Sequence, residues 1–302
     1  MTKPVRAAVR QTEERDMKDQ NRGTLYLCAT PIGNLADITQ RVVDTLREVD
    51  IIAAEDTRNS IKLLNHFGIK TPMTSYHEYN RYDKAAELID RLMEGKDIAL
   101  ITDAGTPGIS DPGEVFVKMC IEAGIRVTSL PGACACITAL TMSGLKTRRF
   151  CFEAFLPADK KERQEILEEL RDETRTVIIY EAPHHLKKTL EELREVLGNR
   201  NIALCRELTK QFEEVLHFTF DEALLYYSQN EPRGEYVLCI EGLDRETIKL
   251  NEIRSWQELT IEEHMKLYEE KGLERKECMK KVAKDRGISK REVYDALLDV
   301  KN

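Results

Sequence analysis

Residues 100–113, LITDAGTPGISDPG, constrain this chain more than any other stretch. An apolar run from Ile98 to Ile101 reads as a buried strand, and it stops abruptly in a segment holding three glycines and two prolines. Glycine admits positive φ and proline locks φ, so a loop built this way has a fixed backbone shape. Asp111 and Pro112 stand where a helix would begin, as N-cap and first-turn residue. An ordinary turn between strand and helix takes ~2–6 residues, and this one is longer. In open α/β sheets, ligands bind outside the carboxyl ends of strands, in loops of this kind.

The remainder of the first half repeats the same unit. Strands are expected over 24–29, 50–54, 72–76, 98–101 and 126–130, with helices over 38–49, 61–67, 83–94, 115–123 and 133–143. Val42, Val43, Leu46 and Val49 share one helical face. Strands alternating with helices predict a largely parallel sheet covered on both faces, with helix 133–143 close against it. Near Arg149 the rhythm changes. Strands at 150–155, 176–180, 202–206 and 236–241 are separated by charged helices at 159–172, 184–197 and 219–229, and EPRGEY before the last strand reads as a hairpin or bulge. The expected organisation is a disordered arm (1–22), two α/β domains (23–147 and 148–243) and a helical basic extension (244–302).

Composition excludes some functions. No apolar run approaches the ~20 residues that span a bilayer, and the amino terminus has no apolar core of a secretory signal. The eight cysteines are scattered through apolar runs; the one tight pair, Cys134 and Cys136, lacks zinc-ligand spacing. No metal site is expected, and buried reduced thiols point to the cytoplasm. The net charge of −8 argues against nucleic acid, yet residues 271–302 hold ten Lys or Arg against six Asp or Glu. Within that tail, Met279, Val282 and Ala283 mark one helix, Gly287 breaks it, and Ser289 caps a second bearing Val293, Tyr294, Leu297 and Leu298. Helix–turn–helix spacing with surplus cations fits RNA contact, or a hairpin docked on its own body.

Four loops leave the carboxyl ends of the first-half strands: TPIGN (30–34), EDTRNS (55–60), SYHEYN (75–80) and DAGTPG (103–108). In a parallel sheet they converge on one rim. Two are glycine-bearing, and two carry Glu55, Asp56, Arg58, His77 and Glu78. Neither the dinucleotide fingerprint nor a P-loop is present. The rim therefore suits a small ligand held by backbone contacts and shape. Tyr79 and Tyr82 beside it offer stacking faces for splayed bases.

TPIGNLADIT, AAEDTRNS, HFGIKTPMTSYHEYN, ITDAGTPGISDPG and RELTKQFEEV, in this order from Gly23 to Leu243, resemble the ribosomal RNA small subunit methyltransferase I family of the tetrapyrrole-methylase superfamily. The resemblance implies two α/β domains with S-adenosylmethionine in the cleft between them, and a homodimer. It also implies that the methyl acceptor is the ribose 2′-hydroxyl of a cytidine in the decoding region of 16S rRNA. Carried onto this chain, the cofactor contacts are Pro31, Gly33, Asp103, Ala104, Gly105, Thr106, Ile109, Thr138, Ala139, Tyr180, Glu181, Ala203 and Leu204. The chain departs from the family where Pro131-Gly132-Ala133 replaces the usual Pro-Gly-Pro, which loosens the loop before helix 133–143. The tail looks like an extension found in a subset of the family.

Methyl transfer to a ribose hydroxyl needs alignment, and a base within reach helps. Base candidates are Glu55, Asp56, His77 and Lys210, with Glu78 and Glu207 beside them, and nothing in the sequence ranks them. Arg58 and Arg206 read as phosphate clamps for the RNA, given the planar guanidinium fork. Two other functions stay open: methylation of a tetrapyrrole or other small molecule, and RNA binding without catalysis on a degenerate methylase fold.

Overall fold

The computed structural model describes residues 22–299, so the arm expected over 1–22 lies, apart from Arg22, outside the described residues. The first sheet contains β1 (Thr24–Cys28), β2 (Ile51–Ala54), β3 (Met73–Ser75), β4 (Ile98–Ile101) and β5 (Arg126–Leu130). Their order is β3-β2-β4-β1-β5, and every pairing is parallel. Helices α1 (Gln40–Glu48) and α2 (Thr57–His66) cover one face through Val42, Val43, Leu46 and Leu64. Helices α3 (Arg81–Met93) and α4 (Gly113–Glu122) cover the other through Leu88, Leu92 and Phe116. From β1 the chain crosses one way, to β2; from β4 it crosses the other way, to β5. The adjacent carboxyl ends of β1 and β4 are therefore a topological switch point, where α/β sheets open a crevice.

The second sheet is mixed. It comprises β6 (Phe150–Phe155), β7 (Thr176–Glu181), β8 (Asn201–Arg206), β9 (Glu214–Thr219) and β10 (Tyr236–Ile240), in the order β6-β7-β10-β8-β9. Only β6 and β7 run parallel. The sequence reading overlooked β9, an edge strand with no fully buried residue and hence a weak hydrophobic signal. EPRGEY is not a hairpin: it joins a helix to β10, which inserts between β7 and β8. Helices α6 (Lys160–Leu170), α7 (Pro183–Leu197) and α8 (Phe220–Gln229) pack on one face around Leu186, Leu190 and Phe220.

The other face is covered by α5 (Ala135–Met142), which the sequence placed on the first sheet. Its Cys136, Ala139 and Leu140 pack against Ile178, Ala203, Cys205, Val237 and Cys239, and Ile32 from the first half joins them. No charged residue lies on α5, so it seats between the halves without stranding an ion. A fully buried leucine here is worth about 1.5–3 kcal/mol, and this shared cluster fixes how the two rims face each other.

The extension is helical: α9 (Arg245–Gln257), α10 (Ile261–Glu270), α11 (Arg275–Arg286) and α12 (Lys290–Asp299). Gly287, at φ 66°, ends α11, and Ser289 caps α12 through Glu292, as the sequence indicates. Upstream of the pair read from the sequence, α9 and α10 complete the helical extension. Met265 of α10 closes a core with Cys278, Val282, Ala283 and Val293, while Tyr294 and Leu298 remain exposed. Trp256 stacks on His264 at 4.8 Å and lies under Arg286. Among the described residues, no helix is long and apolar enough to cross a membrane.

Candidate active site

The two glycine-bearing loops are stitched together. Thr30 and Gly105 exchange backbone hydrogen bonds of 2.9 and 3.1 Å, the sole bridge outside the named strands among the described residues. Gly105 has φ 87°, and a Cβ there would lie 3.3 Å from Ile32 Cγ2. Asp111 knots the far end, its carboxylate accepting from the N–H groups of Gly108, Ile109 and Gly113 at 2.7–3.2 Å. The cap falls one residue later than expected, on Pro112 rather than Asp111, and the helix begins at Gly113, two residues before the expected 115. The Thr106 hydroxyl donates to Ala133 O at 3.0 Å, so the loop before α5 is anchored despite its alanine.

Between the halves lies a cavity of about 420 Å3, within the usual range for a small-molecule site. Its first-half wall is Ile32, Ala104, Gly105, Thr106, Ile109, Cys134 and Ala135. Its second-half wall brings Phe155, Tyr180, Glu181, Lys210, Glu235 and Tyr236, with the apolar Leu208 and Val237. Tyr180 accepts from the Cys136 N–H at 3.0 Å, and burial pushes its phenol well above the ordinary value. Glu181, only 6% exposed, accepts from Thr189 Oγ1 at 2.5 Å and from Ala182 N at 2.8 Å. Cys134 Sγ sits 3.4 Å from Cys136 Sγ, and all eight cysteines are free.

Lys210 is the most constrained ion here. Its Nζ donates to Glu207 Oε1 at 2.9 Å and to Glu235 Oε2 at 2.8 Å. The stem runs across the TPIGN loop, where a Cβ on Gly33 would fall 2.4 Å from Lys210 Cγ. Burial works to lower the Lys210 pKa, but the bonds to Glu235 and Glu207 outweigh it and hold the value above the ordinary one. The turn beneath is strained: Glu207 and Thr209 take φ 51° and 64° without being glycine, at roughly 1–3 kcal/mol each. Gly234 must stay bare, since a Cβ there would lie 2.5 Å from Glu207 Cγ.

The other anticipated residues sit elsewhere. Pro31, Gly33 and Asp103 line a second hollow, of about 350 Å3, with Asn59, Lys62 and His66. EDTRNS is not a loop, because α2 begins at Thr57. Asp56 is its N-cap and also grips the Arg58 guanidinium; those hydrogen bonds hold the carboxyl down at about 2. Glu55 accepts from Thr102 Oγ1 at 2.6 Å and braces the end of β4. His77 donates its backbone N–H to Asn80, and its Nδ1 is buried without a partner among the described residues. None of Glu55, Asp56, His77 and Arg58 lines the cavity between the halves; Lys210 does. Arg206 pairs with Glu214 at 3.2 Å. Thr138 bonds to Cys134 O, while Ala139, Ala203 and Leu204 are packed inside the cores and do not line the cavity. Cys134, Phe155 and Glu235 were missed. The Gly-Glu pair in EPRGEY was the one local signal for Glu235.

Among the described residues, no group of three His, Cys, Asp or Glu could hold a metal ion. The family model for tetrapyrrole (corrin/porphyrin) methylases matches residues 24–224. A protein named ribosomal RNA small subunit methyltransferase I from Halalkalibacterium halodurans is 47% identical over 285 residues, 94% of this chain and 98% of that one. The chain belongs to the ribosomal RNA small subunit methyltransferase I family of the tetrapyrrole methylases. A second protein of that name, from Escherichia coli O157:H7, is 48% identical and covers 76% of this chain and 82% of its own. Solved structures share the fold. Diphthine synthase matches with a TM-score of 0.58 at 12% identity, covering 72% of this chain and 90% of that one. Uroporphyrin-III-C-methyltransferase from Thermus thermophilus matches at 0.52 and 19%, covering 72% and 94%. As a member of this methyltransferase family, the chain is an enzyme that transfers methyl groups.

Proposed function

We propose that the cavity between the halves binds S-adenosylmethionine and that the enzyme methylates the ribose 2′-hydroxyl of a cytidine in the decoding region of 16S rRNA, within the small ribosomal subunit. The observation that carries this reading is the contrast across the cavity, a bare glycine-bearing wall facing one lined by Tyr180, Glu181, Lys210 and Glu235. The residues suit the cofactor. Gly105 leaves room that a Cβ would crowd, and Glu181 supplies a buried carboxylate for a cation or hydroxyl. Leu208, Val237 and Ile32 add apolar surface for a flat ring. Ala104, Gly105, Thr106 and Ile109 would hold it from one side, Tyr180 and Glu181 from the other. Pro31, Gly33 and Asp103, on the other side of the TPIGN loop, shape that wall from behind.

S-adenosylmethionine supplies an electrophilic methyl group, so the protein need only align and deprotonate the acceptor. Lys210, kept protonated by Glu207 and Glu235, is placed to hydrogen-bond the ribose oxygen and stabilise charge developing there. A protonated ammonium is not a base. That task falls to Glu235, the more exposed of its two carboxylate partners. Asp56, bound in a cap and an ion pair, and Glu55, bound to Thr102, act as structural braces. Arg206 remains a contact for RNA phosphate. The domain limits of 23–147, 148–243 and 244–302, a homodimer and a cytoplasmic location belong to the same reading.

The test is methyl incorporation from labelled S-adenosylmethionine into small ribosomal subunits and into uroporphyrinogen. Label in the subunits, mapped to a cytidine ribose, is the expected result. Label in porphyrinogen alone would overturn the RNA assignment and leave a small-molecule methylase.

A further inference from the structure

A second feature lies at the opposite end of the second sheet. Lys146, Arg148 and Arg149, in the link between the halves, line a groove of about 250 Å3 together with Thr174, Arg175, Leu243 and Asp244. The groove is built, not incidental. Thr176, 2% exposed, donates its hydroxyl to Lys146 O at 2.6 Å and its N–H to Arg149 O at 3.3 Å, pinning the basic segment by its backbone alone. On the other lip, Leu243 N donates to Glu173 O at 2.7 Å. The chain crosses so closely there that a Cβ on Gly242 would lie 2.3 Å from the Thr174 backbone. The side chains of Lys146, Arg148 and Arg149 are left free to point outward, and all three residues are exposed.

Their charge is unanswered. Arg175 is claimed by Glu173 at 2.5 Å, and the Asp244 carboxylate caps α9. Lys146, Arg148 and Arg149 form no ion pair among the described residues. On a chain of net charge −8, three neighbouring unpaired cations mark a place for a polyanion. The groove meets the amino ends of β6 and β7, whereas Phe155, Tyr180 and Glu181 meet the cavity at their carboxyl ends. Along a six-residue strand the two are separated by roughly 17 Å.

We propose that this groove docks the phosphodiester backbone of the RNA substrate at a point remote from the methyl acceptor, fixing register through Lys146, Arg148 and Arg149. The inference rests on the RNA reading above. Contacts of this kind carry no sequence information but hold the substrate in place, and their signature is salt dependence.

The experiment compares wild type with the triple variant Lys146→Ala/Arg148→Ala/Arg149→Ala. It measures binding to small-subunit RNA across a salt series, methyl transfer kinetics, and S-adenosylmethionine affinity. Because Thr176 grips main-chain atoms only, the variant should keep its fold, and unchanged cofactor affinity reports that. The expected result is a salt slope of log affinity flattened by about 2, from ~0.7 per phosphate contact on a single strand. KM for RNA should rise by about tenfold or more with kcat held, and the charge-retaining Arg148→Lys/Arg149→Lys variant should keep most of the slope. A wild type that methylates RNA, beside a triple variant with the same slope and KM, would overturn the groove and spare the function. A wild type that neither binds nor methylates RNA would overturn both.

Discussion

The two walls of the cavity are made of different material. The first-half wall is backbone: a bridge between Thr30 and Gly105, a positive φ, and small or aliphatic side chains whose one titratable member is Cys134. The second-half wall is side chains: Tyr180, Glu181, Lys210, Glu235 and Tyr236. A parallel sheet with a switch point yields a stiff rim suited to recognising shape. In the mixed sheet, the turn beneath Lys210 holds Glu207 and Thr209 at positive φ and spends conformational strain to keep ions in place. On the proposed reading, holding and reacting are divided between the halves, with α5 packed between them.

That contrast can be broken from the reactive side first. Lys210→Met removes the ammonium but keeps an apolar stem against Gly33, and should lower kcat by ~100–1,000-fold, the loss expected for one preorganised charge-stabilising donor. S-adenosylmethionine affinity should change little; steady-state kinetics beside a cofactor titration check the split. Glu235→Gln should cost about 100-fold in kcat, the low end for a proton-transfer group. It should also move the pH profile. Glu235 and Glu207 raise the Lys210 pKa, so the protonated form lasts through neutral pH and is lost as pH climbs through that raised value. Removing one carboxylate brings the alkaline limb down toward the ordinary ~10.4, which a pH–rate series reads directly. The smallest catalytic effect belongs behind the backbone wall. Asp56→Ala takes away the α2 cap and the Arg58 partner, so it should lower Tm and leave kcat and KM near wild type. A large kcat loss there, without loss of stability, would return the base to the first half.

Legibility follows the same divide. DAGTPGISDPG announced the first wall because glycine and proline write backbone shape into sequence, and the parallel order followed from alternating strand and helix. EDTRNS misled, since Asp56 caps a helix whose buried face starts only at Ser60 and whose first buried apolar residue is Leu64. The second wall was harder to read. β9 is an edge strand with little buried surface, and Glu235 reaches Lys210 from a distant part of the chain across a sheet order that sequence does not encode locally. Helix α5 has no charged face to show which sheet it covers. In the tail, Gly287 and Ser289 gave the turn, but the helix that completes the core lay upstream of the pattern.

The most direct test of this account is a calorimetric titration of S-adenosylmethionine into Gly105→Val. A β-branched residue at φ 87°, with its Cβ against Ile32, should cost about 10–100-fold in affinity, the equivalent of roughly 1–3 kcal/mol of strain and crowding, while the fold persists. Wild-type affinity in that variant would contradict the placement of the cofactor against the glycine-bearing wall.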